Sequence, residues 1–469
     1  MIEPQAQLPP EVPPQLARGE FLRQKGQLDE AMREAVSYLN DHFDDVVGLM
    51  LAANIMVDAE RLGMAQALLK RVVQIKPDLA VAWNNLGICY REGANLEEAE
   101  ALFFRGLKLD PNDAALHSNL GQLYNNTAQP TLALKHLNRA IQSDPGMPEA
   151  FYNRSLANIS LRNWKEGWAD FDATLGMGKI RKERVYGMIP RWNGIEGKSL
   201  IAFGEQGLGD EIAFASCVPD LVKQNKVVLE CDPKLWGLFK RSFGLETHGT
   251  RYQDRLGWLH DKETHKLRKF DGAIAFGSLP QYYRNSTEAF PGTPYLQADP
   301  LRRIQWRAAL DALGPKLKVG ITWTGGNKNT GKARRSVELD DLLPILRQDA
   351  TFVSLQYMDC PEVDVLQRNH GIQVHHWKHA TQTADYDDTA ALVAELDLVI
   401  SVTTAVIHLS GALGKKCWVM APKSPRWFYG VTGEDLPWYK SVKLYRQKQK
   451  WVDVIAKIAT DLRTLIMER

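Results

Sequence analysis

A period of 34 residues runs through roughly the first 180 positions of this chain and constrains its fold more than any other feature. Trp83, Leu86, Gly87, Tyr90, Ala99, Phe103 and Pro111 return as His117, Leu120, Gly121, Tyr124, Ala133, Leu137 and Pro145. One step back gives Leu49, Ala52, Ala53, Met56, Ala65, Leu69 and Pro77, and another reaches Gly19, Leu22 and Ala31. One step forward gives Phe151, Ser155 and Phe171, with Arg154 and Asn158 where the pattern wants apolar residues. Small residues at 87, 99, 121 and 133 let the two helices of a hairpin approach closely, while the large ones fill the gaps between them. The proline ends the second helix by removing an amide donor. The pattern predicts about five helical hairpins, the outer two atypical as terminal repeats tend to be.

This spacing and residue choice resemble the tetratricopeptide repeat. The resemblance implies a solenoid with a concave face that binds extended peptides. Asn85, Asn119 and Asn153 fall on one ladder of the repeat. In peptide-binding arrays of this family the matching asparagines clamp ligand backbone; the alternative is a solvated polar position on the first helix.

At 469 residues the chain is too long for one core. A net charge of +2 gives no global reason to expect a nucleic-acid or membrane-surface partner. Five scattered cysteines, never spaced C-x-x-C, fit neither a disulfide framework nor a zinc knuckle. The proline-rich start lacks the basic and apolar regions of a signal peptide, and Leu396–Gly414 is too short and too polar for a membrane span. The expectation is a soluble cytoplasmic protein with no transmembrane segment.

After Phe171 the repeat fades into the basic stretch 179–184, and Pro190, Asn193, Gly194 and Gly197 break any helix. From Lys198 short apolar runs alternate with amphipathic stretches of helical length. The runs are Ser199–Phe203, Val227–Glu230, Gly272–Phe276, Val319–Trp323, Phe352–Leu355, Leu398–Ser401 and Cys417–Met420. Such alternation reads as βα units with parallel sheets. The expected class is therefore α plus α/β: a solenoid over 12–181, one Rossmann-like lobe over 198–314 and a second over 315–469.

Ligands of open α/β sheets bind beyond the carboxyl ends of the strands, which selects three loops. The first is Gly204–Glu211, GEQGLGDE, whose glycines allow close backbone approach to a ligand. Asp210 in it reads either as a helix N-cap or as a general base. The second begins at Ser401, where Thr403 and Thr404 open a helix whose unpaired amides suit a diphosphate. The alternative there is that a threonine merely caps the helix and His408 packs into the core beneath it. The third, Trp323–Ser336, carries Lys328, Lys332, Arg334 and Arg335 among glycines. It suits phosphate charge, or is a solvated basic loop. The histidines of 375–379 are not read as a metal site, because neighbours on a strand point to opposite faces.

Taken in order, Gly204–Asp210, Val319–Gly326, Arg334–Leu339, Leu396–Lys415 and Leu436–Gln447 resemble the heptosyltransferase-like domains of glycosyltransferase family 9, in the two-lobed GT-B class. The resemblance implies an inverting, metal-independent transferase without cofactor, its nucleotide-sugar donor held on the second lobe. It implies Asp210 as base, and a donor-binding set of Gly207, Gly209, Trp323, Lys328, Arg335, Gln356, Thr403, Thr404, Ala405 and His408. The acceptor it implies is a protein such as flagellin, or a glycan, recruited by the repeats. Where the family has Asp-Thr this chain has Thr403-Thr404, so a carboxylate near the donor is missing. That departure keeps a second reading open, a degenerate transferase retained as a nucleotide-binding or scaffolding module.

Overall fold

The computed structural model describes residues 12–177, 181–254, 256–261, 263–326 and 332–469. By internal contacts the chain divides into two compact units, one ending at Ala157 and one running from Asn158 to Arg469.

The first unit is built from antiparallel helix pairs: α1 (Pro14–Gln24) with α2 (Leu28–Asp41), α3 (Val46–Asp58) with α4 (Leu62–Ile75), α5 (Ala80–Glu92) with α6 (Leu96–Leu109), and α7 (Ala114–Asn126) with α8 (Pro130–Ser143). Helix α9 (Pro148–Ser160) spans the division, and α10 (Trp164–Ala173) packs within the second unit. Each hairpin turns on a residue with positive φ: Gly26 (76°), Glu60 (58°), Ala94 (63°), Ala128 (57°) and Arg162 (64°). The backbone thus keeps the 34-residue register at a position where sequence identity does not, since only the first of the five is glycine.

The small positions do what the pattern requires. A Cβ on Gly87 would stand 2.5 Å from the Phe103 ring, and one on Gly121 would stand 2.3 Å from Leu137. Helices α4, α6 and α8 stop two residues short of Pro77, Pro111 and Pro145. Trp83 Nε1 donates to Pro77 O at 2.8 Å, and His117, one repeat on, keeps the equivalent contact from Nε2 to Pro111 O at 3.1 Å.

The second unit holds two parallel sheets. In the first, β1 (Ser199–Phe203), β2 (Lys226–Glu230), β3 (Thr247–His248) and β4 (Gly272–Ala275) lie in the order β3-β2-β1-β4. In the second, β5 (Leu317–Thr322), β6 (Ala350–Ser354), β7 (Val374–His375), β8 (Leu398–Val402), β9 (Cys417–Ala421) and β10 (Val442–Arg446) lie in the order β10-β9-β8-β5-β6-β7. Both orders reverse direction at their first strand, between β1 and β4 and between β5 and β8. These are the switch points at which a doubly wound sheet opens a crevice. Strands β5 and β8 are wholly buried, as their largely apolar runs in the sequence lead one to expect for strands covered on both faces. Among the described residues no helix is long and apolar enough to cross a membrane.

Candidate functional site

A cavity of about 410 Å³ opens where the two crevices face each other. Its first wall is the turn after β1 and the start of helix α11 (Leu208–Phe214), contributing Gly207, Leu208, Gly209 and Asp210. Three carboxylates lie in this turn and they are sorted by burial. Glu205 pairs with Arg181 at 2.7 Å beneath the loop. Glu211 folds under Gly204, where its Oε1 accepts from the Asp232 amide at 2.8 Å and its Oε2 from Arg251 at 2.9 Å. Burial pushes the Glu211 carboxyl up to about 8 against the pull of Arg251. Asp210 alone of the three lines the cavity.

Asp210 does not cap the helix, contrary to one expectation from its spacing. The cap position is Gly207, extended at φ −66° and ψ 160°, which leaves Asp210 inside the first turn. A carboxylate there still lies at the positive end of the helix.

The second wall is the turn after β8. Thr404 precedes the helix Ala405–Ala412, yet no side chain caps it. The Thr404 hydroxyl instead lies 3.2 Å from Ser401 Oγ, which bonds to Thr322 Oγ1 at 2.6 Å. Thr404, Ala405 and Val406 line the cavity around a helix start that has no side-chain cap among the described residues. Thr403 is fully buried behind this wall and does not line the cavity; its Oγ1 accepts from Arg335 Nε at 3.0 Å and its carbonyl from the same guanidinium. That pairing turns Arg335 to the cavity, beside Arg426.

The walls meet at Gly209, where a Cβ would stand 3.2 Å from the Ala405 Cα and from the His408 ring. His408 also lines the cavity. Its Nδ1 is 3.3 Å from the Tyr439 hydroxyl, and burial, then Arg426 and Arg335, push its pKa down to about 3. It is neutral at physiological pH, able to hydrogen bond but not to supply charge.

The third wall is a glutamine and a row of threonines with Lys234 beside Tyr386, whose amide donates to the Lys234 carbonyl at 2.9 Å. Gln356 lies against Thr324, its amide oriented to donate to Thr324 O at 3.2 Å and accept from Thr324 N at 3.3 Å. Around it stand Thr381, Thr383, Tyr386 and Thr389. Thr381 Oγ1 is buried without a hydrogen-bond partner among the described residues.

Of the residues singled out from the sequence, Gly207, Gly209, Asp210, Arg335, Gln356, Thr404, Ala405 and His408 line this one cavity. Trp323 stands behind it in the core, its Nε1 donating to Glu362 at 2.9 Å. Lys328 lies outside the described residues. Asn85, Asn119 and Asn153 belong to the repeats and are 3%, 3% and 5% exposed, so none is solvated. Asn85 Nδ2 donates to Asn54 at 3.2 Å and Asn119 Nδ2 to Asn84 at 2.9 Å, while Asn119 Oδ1 accepts from Arg91 at 2.7 Å. The Asn153 carbonyl accepts from Asn125 at 2.8 Å. The sequence reading missed Lys234, Arg426, Phe428, Tyr429 and the threonine wall. Their one local signal is the run Pro425–Gly430, where a basic and three aromatic residues follow β9.

Residues 56–123 match the tetratricopeptide repeat family. Protein FlbA of Caulobacter vibrioides is 30% identical over 439 residues, covering 90% of this chain and 73% of FlbA. Among solved structures, a thermophilic tetratricopeptide protein of Thermus thermophilus is 20% identical over 34% of this chain and 88% of its own, with a TM-score of 0.32. MamA is 22% identical over 33% of this chain and 91% of its own, with a TM-score of 0.29.

Proposed function

We propose, from the premise that this chain belongs to the family of protein FlbA, that its second unit is a glycosyltransferase of the two-lobed GT-B kind and that its repeats recruit a protein acceptor. The lobes are taken as 198–314 on the acceptor side and 315–469 on the donor side. One observation carries the reading: a carboxylate from one switch-point crevice, Asp210, shares a cavity with an uncapped helix start and two guanidinium groups, Arg335 and Arg426, from the other.

The chemistry follows from that division. A nucleotide-sugar diphosphate would lie on the amides of Thr404 and Ala405 with Arg335 and Arg426 beside it, fixed donors aimed at charge that builds as the sugar leaves. The acceptor hydroxyl attacks the anomeric carbon from the opposite face, the bond from that carbon to the phosphate oxygen breaks, and Asp210 takes the hydroxyl proton. This inverts the anomeric centre and calls for no metal. The uncharged side chains of Gln356, Thr381 and Thr383 suit a heterocycle, with Lys234 at the edge of the same wall. Thr403, where related transferases carry a carboxylate, accepts from Arg335 without cancelling its charge, which favours an anionic ligand.

The same Thr403 supports a second reading, a nucleotide-binding module without turnover. Asp210→Asn separates the two. For a transferase, nucleotide affinity is kept while turnover of the donor falls about 100-fold or more. Donor turnover unaffected by the substitution removes Asp210 as the base. A donor that binds the native chain and is never turned over leaves the module.

A further inference from the structure

By period, α10 is the closing helix of the repeats, yet its side chains pack on the end of α11 and on the segment after β9 that carries Phe428 into the cavity. Trp168 is 1% exposed and does not itself line the cavity. Its Nε1 donates to the carbonyl of Arg284 at 2.9 Å. Its ring meets Phe214 edge-on at 6.3 Å and Trp427 at 6.0 Å. Phe214 closes α11, the helix that carries Asp210 in its first turn. Trp427 stacks on Phe428 at 3.6 Å, and Phe428 lines the cavity 4.8 Å from the His408 ring. One indole therefore touches the Asp210 helix on one side and stands two rings away from His408 on the other.

The elements it touches have little structure of their own. Helix α11 has seven residues, and Arg426–Tyr429 is ordered locally only by a single 3-10 turn, Trp427–Tyr429. Segments this short are held by tertiary packing rather than by their own hydrogen bonds. Trp168 is anchored in turn by its neighbours on α10. Trp164 Nε1 donates to Thr287 at 3.0 Å, and the Phe171 ring carries Arg181 at 4.2 Å, the same Arg181 that pairs with Glu205 under the glycine-rich turn.

We infer that Trp168 is a positioning residue that sets the spacing between α11 and the 426–429 segment of the cavity, and that α10 is consequently part of the site rather than part of the acceptor-recruiting array. The inference rests on the transferase reading only for what the cavity binds; the positioning is a property of the ligand-free chain.

Hydrogen exchange on the full-length, ligand-free protein tests it independently of any donor. In Trp168→Ala, amides of 208–214 and 426–430 should exchange at least about tenfold faster, while those of β6, remote from the indole, keep their native rates. Trp168→Phe, which restores a ring, should bring both segments back to within about threefold of native. Should Trp168→Ala not fold, Trp168→Leu keeps apolar volume without an aromatic edge and should give the same two-segment pattern. Unchanged exchange at either segment overturns the inference, and so does acceleration shared equally by β6, which would mark Trp168 as core filling alone. A chain that shows this pattern yet binds no nucleotide keeps the positioning role and loses the transferase reading.

Discussion

Five polar side chains of the repeats and the polar groups of the cavity differ in what they face. In the repeats, Asn54, Asn84, Asn85, Asn119 and Arg91 lie at 6% exposure or less and hydrogen bond across neighbouring hairpins. The cavity is lined by Asp210, Arg335, Arg426 and Thr381; Arg335 is held by Thr403, whereas the Thr381 hydroxyl has no partner among the described residues. A group paired with a neighbour supports the fold, and losing the neighbour strands its partner at full desolvation cost. A hydroxyl such as that of Thr381, facing a cavity without such a partner, does little for the fold and is available to a ligand. Polarity in the sequence marks both kinds alike; the partners separate them.

Substitutions that treat the two regions the same way should therefore give different results. Asn119→Ala removes the acceptor of Arg91 and the donor to Asn84, and should cost about 2–3 kcal/mol in urea unfolding while leaving nucleotide affinity unchanged. A small cost with lost transfer to a protein acceptor would return the asparagine ladder to the role of a peptide clamp. Thr381→Val, nearly isosteric, removes a hydroxyl with no partner among the described residues. It should leave unfolding within about 0.5 kcal/mol of native while weakening nucleotide binding by up to about tenfold, read by calorimetric titration. Destabilisation without loss of affinity would break the contrast.

A smaller effect lies in the pH dependence of the repeats. His117 and His136 face each other with Nδ1 atoms 3.0 Å apart, and burial lowers both pKa values, that of His136 to about 4. A histidine depressed in the folded state binds its proton more readily when unfolded, so its stabilisation is complete above the ordinary value near 6.5 and is lost as pH falls from there through about 4. Thermal midpoints should fall between pH 7.5 and pH 5, and His136→Gln should flatten that slope. An unaltered slope would place the titration elsewhere, with His375, His376 and His408 of the second unit lowered in the same direction.

Much of this architecture was legible because its causes are periodic. The repeat announces itself where Gly87 must meet Phe103 and Gly121 must meet Leu137. Seven apolar runs mark seven strands because buried parallel strands are apolar on both faces. Strands β3 and β7 escaped, being two residues long and too short for any pattern, and so did β10, whose apolar residues are interrupted by Lys443 and Arg446. In the cavity, the turns after β1 and β8 could be read from glycines and helix starts. The start of α11 could not, because an extended glycine rather than Asp210 occupies its cap. Arg426, Phe428, Thr381 and Tyr386 carry no periodic signal. They come together through strand order, which single segments do not encode.

A thermal-shift panel of nucleoside diphosphates and nucleotide sugars on the native chain and on Thr404→Leu tests the cavity most directly. At 100 times its dissociation constant a bound nucleotide should add about 2.7 kcal/mol to the stability of the native chain. Bulk added beside the uncapped helix start should abolish that gain without unfolding the ligand-free protein. A native chain indifferent to every nucleotide, or a Thr404→Leu chain stabilised as much as the native one, would contradict the placement of a diphosphate on the Thr404–Ala405 wall.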